Sequence, residues 1–198
     1  MRGFAVDKDL RSTDEMLAIV REAGGRAVPY ACDVTDFKAV AALVAACQAS
    51  YGGVDILVNN VGGPSPGGPV KLSEQASDLQ IALNLTSVFL MCKHAMPLME
   101  GKGAGSLVNI ASMPGIRWTG SAAVGYAVAE AGVIQFGRFV GVEYASKSIR
   151  INLVLPGQLH TPLLDKVLVN DQSDGDMLLQ CQLWRCHPDR ATRPGTVN

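Results

Sequence analysis

The 198-residue sequence predicts an α/β fold with a parallel sheet. Two observations carry this prediction. Apolar runs of strand length alternate with helical segments of a dozen or more residues from Gly3 to Leu155, the order expected of right-handed βαβ units. The later strands read as unbroken apolar runs, as strands buried on both faces do.

Gly3 to Val6 is a short apolar run ending at Asp7, and a helical segment follows from about Ser12 to Ala23, stopped by Gly24-Gly25. Ala27 to Cys32 reads as a second strand ending at Asp33. Asp36 then caps a helix running to about Ser50. Val54 to Asn59 is a third strand, followed by the Gly/Pro-rich loop Gly62 to Pro69. Ser73 and Gln75 open a helical region reaching about Met99. Ser106 to Ala111 is a buried fourth strand, a long apolar helix carries Tyr126, and Ile149 to Leu155 is a fifth strand closed by Pro156-Gly157. Beyond about Asn170 no clear period remains, so residues 1–170 read as the folded domain and 171–198 as an irregular tail.

Composition narrows the function. Hydrophobic residues make up 48% of the chain and the formal charge is −1, as in a domain that buries a real core. No basic run points to nucleic acid. No apolar stretch is expected to approach the roughly 18 residues of a membrane span, and the N-terminus is charged too early for a signal peptide. A cytoplasmic protein without nucleic-acid or membrane partners is expected. Five cysteines at scattered spacing read as reduced thiols, with Cys32, Cys47 and Cys92 as core residues. Cys181, Cys186 and His187 lack the spacing of a zinc site, so no metal is expected.

The chemistry concentrates between Asn109 and Tyr144. Ser112 closes an apolar strand, and Tyr126 lies near the start of the next helix with Glu130 one turn further on the same face. Open α/β sheets bind ligands at the carboxyl ends of their strands, so a serine and a tyrosine there form a plausible proton-transfer pair.

In these residues the chain resembles the short-chain dehydrogenase/reductase (SDR) family, which carries a serine followed by Tyr-x-x-x-Lys on the next helix. Here the motif reads Tyr126-Ala127-Val128-Ala129-Glu130, with a glutamate at the lysine position. The resemblance runs from about Gly3 to Leu164. It implies a Rossmann-like, doubly wound parallel sheet, truncated at its first strand with the family's Gly-rich turn and lacking its last strand. It also implies an NAD(P) cofactor, a small-molecule alcohol or carbonyl substrate, and a homodimer or homotetramer built on the helices bearing Asn84 and Tyr126.

Carried over by position, the resemblance makes Asn84, Ser112 and Tyr126 catalytic. The cofactor set is Asp7, Asp33, Val34, Asn59, Val61, Gly62, Pro156, Gly157 and Thr161. Asp7 at a strand end favours NAD over NADP, although Lys8 beside it could attract a 2′-phosphate. Trp118, Met113, Ile116 and His160 would border an apolar pocket. Tyr126 would exchange a proton with the substrate oxygen while hydride moves to or from nicotinamide. The family lysine lowers the tyrosine pKa, whereas Glu130 reverses that field. At roughly 6 Å and an effective dielectric near 20, a unit charge is worth about 3 kcal/mol, so impaired alcohol–ketone oxidoreduction is expected. A non-catalytic scaffold and a hydride-independent isomerase or cyclase are the alternatives.

Overall fold

A computed structural model describes residues 11–157. Its centre is a three-stranded parallel sheet of β1 (Ile56–Asn59), β2 (Gly105–Ile110) and β3 (Ile149–Val154), in that spatial order. Leu57 pairs with Leu107 and Asn59 with Asn109, while Leu107 pairs with Ile151 and Asn109 with Leu153. This register stacks one apolar face across all three strands.

Among the described residues five α-helices surround or flank the sheet: α1 (Arg11–Glu22), α2 (Phe37–Tyr51), α3 (Glu74–Ile81), α4 (Ser87–Lys102) and α5 (Val124–Glu143). Leu57, Leu107 and Ile149 from the sheet share one core with Val44 of α2, Val88, Cys92, Met96 and Met99 of α4, and Val133, Ile134 and Val140 of α5. Three helices thus cover one sheet face. On the opposite face Ile56 is 66% and Val58 55% exposed, so among the described residues only one face is buried.

Local chemistry explains the helix starts. Asp36 caps α2 by accepting from Ala39 N at 2.7 Å, and Ser73 caps α3 by accepting from Ala76 N at 3.2 Å. Helices α3 and α4 run together through a π-turn, Ala82–Thr86, which widens the helix at Asn84. This continuous stretch, Glu74–Lys102, is long and apolar enough by length and composition to cross a membrane, a correction to the expectation that no stretch would be. Its apolar side instead serves the core, where Leu90, Cys92, Ala95, Met96 and Met99 are buried.

Ala27 to Cys32 is not a strand, which corrects a second expectation. A strand exists through its ladder, and no described neighbour pairs with this segment. Pro29 also lacks a donor, and Val28 and Tyr30 are exposed. Arg26 anchors the segment to the end of α2, donating to Ser50 O at 2.9 Å and lying over the Tyr51 ring. Among the cysteines expected in the core, Cys92 is buried, whereas Cys32 and Cys47 are half-buried. The strand at Gly3 to Val6 and the tail 171–198 lie outside the described residues.

Candidate active site

Ser112 follows β2 in extended backbone (φ −150°, ψ 156°) and leads into a short turn, Met113–Gly115. Two bonds tie this segment to the end of β3: Ala111 N donates to Val154 O at 2.8 Å and Met113 N to Pro156 O at 3.2 Å. Pro156-Gly157 is thereby held beside Ser112.

No side chain caps α5. The Gly/Pro loop does so with its backbone instead: Gly67 N donates to Ala122 O at 2.7 Å and Val124 N to Gly67 O at 3.1 Å. Two buried amides hold that loop from below. The Oδ1 of Asn84 accepts from Gly63 N at 2.7 Å, and its Nδ2 donates to Gln80 O at 2.9 Å and Gly63 O at 3.3 Å. Gln80, one turn earlier and fully buried, accepts from Ser65 N at 3.0 Å. Gly62 is required here because a Cβ would lie 2.7 Å from Asn84 Oδ1.

These supports bring three predicted residues together. The Tyr126 hydroxyl lies close enough to Ser112 and Glu130 for both to act on its titration. Burial pushes the Tyr126 pKa up, the Ser112 hydroxyl opposes this, and the Glu130 charge and its acceptance of the tyrosine proton push it further up. Burial thus outweighs the glutamate's field, which was the expected main cause. Glu130 itself is 4% exposed. Burial raises its pKa from 4.5 to about 7, against the lowering effect of the Tyr126 hydrogen bond. Among the described residues its Oε2 has no hydrogen-bond partner.

The cofactor candidates are more dispersed. Asp33 Oδ1 accepts from Thr35 N at 2.9 Å and Thr35 Oγ1 at 2.7 Å, which holds its carboxyl below the ordinary value. Val34 is half-buried beside it. The Asn59 amide points into the core, donating to Asn109 Oδ1 at 2.8 Å and Cys92 Sγ at 3.8 Å. Val61, Gly62 and Gly157 are exposed and Pro156 is half-buried. Asp7, His160 and Thr161 lie outside the described residues. Trp118 is 73% exposed and Ile116 is exposed too, so they form no closed apolar wall among the described residues, while Met113 is half-buried. Two concavities on the described surface, about 470 and 520 Å³, lie on the far part of α5 and along β3 and include neither Ser112 nor Tyr126.

Lys147, Lys93 and His94 are engaged away from Glu130 and do not stand in for the family lysine. Lys147 pairs with Glu100 at 3.0 Å, Lys93 lies over the Phe89 ring, and His94 packs edge-on against Phe37. Three supporting residues escaped the sequence reading. Gln80 was signalled by standing four residues before Asn84, and Asn109 by alternating in phase with buried Leu107. Gly115 gave no signal: a Cβ there would lie 2.9 Å from Ala131 N and 3.0 Å from Glu130 Cβ, so the serine-bearing turn presses directly on the Glu130 turn of α5.

Residues 4–183 match the family described as Enoyl-(Acyl carrier protein) reductase. The chain is 38% identical over 152 residues to the cis-4-hydroxycyclohexanecarboxylate dehydrogenase of Sinomonas cyclohexanicum, an alignment covering 76% of this chain and 61% of that protein. It is 33% identical over 183 residues to an uncharacterized oxidoreductase of Bacillus subtilis, covering 90% and 65%. The chain therefore spans less than two thirds of the length of these curated relatives. A crystal structure assigned to a short-chain dehydrogenase/reductase of Burkholderia xenovorans superposes with a TM-score of 0.80 at 55% identity, covering 88% of this chain and 66% of that one.

Proposed function

The chain belongs to the short-chain dehydrogenase/reductase family, and on that footing we propose that it carries the substrate side of an alcohol–ketone oxidoreductase site. The observation that carries this reading is that Ser112 and Tyr126 meet at the carboxyl end of β2, close enough for the serine hydroxyl to act on the tyrosine. Ser112 holds the substrate oxygen, and Tyr126 exchanges a proton with it. Asn84 keeps the Gly62–Ser65 loop in place beneath them and acts as a positioning residue. The substrate is a small secondary alcohol or ketone. The first curated relative, named for a hydroxycyclohexane substrate, supports a cyclic one.

NAD or NADP would supply the hydride chemistry, with Asp7 favouring NAD. The donor set disagrees with that cofactor at one point: the family's lysine, which holds the nicotinamide ribose, is replaced by the buried carboxyl of Glu130. Tyr126 is also held above its ordinary pKa, the wrong direction for a base at neutral pH. Oxidoreduction by this chain is accordingly slow. The exposed Phe89, Phe139 and Val142 on α4 and α5 support assembly as a homodimer or homotetramer.

NADH binding to the full chain, followed by cofactor fluorescence, tests this together with turnover of cyclic secondary alcohols. Saturable binding with slow turnover is expected, and Glu130→Lys raises turnover at least tenfold. A folded chain that binds no dinucleotide contradicts the reading.

A further inference from the structure

Glu130 is the buried titratable group that oxidoreduction leaves without a role. It sits one turn from Tyr126, beneath the turn that carries Ser112, with Oε2 unpartnered. We propose that Ser112, Tyr126 and Glu130 form a binding site for the oxygen of a neutral ketone, one that is switched on by a proton on Glu130 and needs no dinucleotide. The proposal rests on the same Ser112–Tyr126 pair as the oxidoreductase reading, and adds a ligand class and a control that the family's lysine would not provide.

With Glu130 ionised, the carboxylate can only accept, so the Tyr126 hydroxyl would donate to it and Ser112 to the tyrosine oxygen, in keeping with the direction in which each acts on the other. Both donors are then consumed inside the protein, and a ketone, which can only accept, finds none. With Glu130 protonated, the carboxyl becomes a donor and can give its own hydrogen to the tyrosine oxygen. The Tyr126 and Ser112 hydrogens are then free to converge on a carbonyl oxygen. A carboxylic acid kept neutral by an apolar site, beside a tyrosine, is a known way to build such a donor pair.

The surroundings fit a neutral carboxyl. Tyr126 is the titratable group that acts on Glu130 from its own helix. The Met113–Gly115 turn packed on it carries no charge. From α3 and the π-turn the buried polar residues are the uncharged Gln80 and Asn84, while Glu74 and Asp78 are exposed. Arg117, just beyond the turn, is exposed. The titration near 7 places the change of state in the neutral range.

The test is a titration of the full chain with a trifluoromethyl-substituted cyclohexanone, followed by fluorine NMR without any dinucleotide. With a midpoint near 7, the dissociation constant of the unaltered chain rises about tenfold between about pH 6 and about pH 8, because the competent fraction falls by that factor. Glu130→Gln makes the affinity independent of pH, and Tyr126→Phe weakens binding at both pH values with the fold intact by circular dichroism. The proposal is overturned by a pH-independent affinity in the unaltered chain, by the same loss in Glu130→Gln, or by no ketone binding at about pH 6. Since no cofactor is present, these outcomes are separate from NADH binding, whose failure would strike the oxidoreductase reading alone.

Discussion

Asn84 and Glu130 are both buried polar side chains on helices that flank the site, and they are satisfied to very different degrees. Asn84 makes three hydrogen bonds, two of them to one loop residue, and sits where a π-turn gives the helix room for its amide. Glu130 shares its contact with Tyr126 and keeps one oxygen unpartnered. The first arrangement is rigid and insensitive to pH. The second holds an uncompensated cost, which the protein relieves by taking up a proton. The contrast separates a polar group that builds the site from one that changes its state.

The largest effect that would break this comparison is at Asn84. Replacing it with alanine strands the buried backbone groups of Gly63, and the expected loss is about 3 to 4 kcal/mol of stability by denaturant titration. That loss does not vary with pH, because no ionisable group is removed. Glu130 gives the opposite pattern. Its folded-state pKa is raised from 4.5 to about 7, so between those values the folded chain holds a proton that the unfolded chain has lost. Stability therefore falls as pH rises through this window, by up to about 3 kcal/mol at about 1.4 kcal/mol per pH unit. Glu130→Gln removes that slope, and chemical denaturation at a series of pH values measures it.

Gly115→Ala sharpens the contrast at smaller scale. The added Cβ meets backbone of α5 rather than a flexible side-chain end, so about 2 kcal/mol of stability is lost. The strain falls on the contact between the serine turn and Glu130, so ketone affinity falls as well. Asp36→Ala provides the baseline: it removes the α2 cap, costs about 1 kcal/mol in thermal unfolding, and leaves the site untouched.

What could be read from sequence was what local chemistry decides. Asp36 was recognisable as a cap and Ser73 as a helix start because capping depends on a side chain and the amides three residues on. The segments of β1, β2 and β3 were recognisable because they are apolar runs. Ala27 to Cys32 has a similar run, yet a strand also needs a neighbour, and composition does not reveal one. The meeting of Ser112, Tyr126 and Glu130 was likewise legible, since a strand end and one helical turn place them. The unpartnered Glu130 oxygen and the pressure of Gly115 depend on how a turn and a helix pack, which spacing alone does not encode. The exposure of Trp118 was missed for the same reason: an apolar residue near a site is not thereby part of its wall.

The most direct test of the central claim is the protonation of Glu130 itself. An infrared titration of the carboxyl C=O band, taken as the difference between the unaltered chain and Glu130→Gln, isolates one group. A band lost with a midpoint near pH 7 is the predicted result. A midpoint near 4.5, the ordinary value, would mean that Glu130 is ionised throughout the neutral range and cannot switch the site.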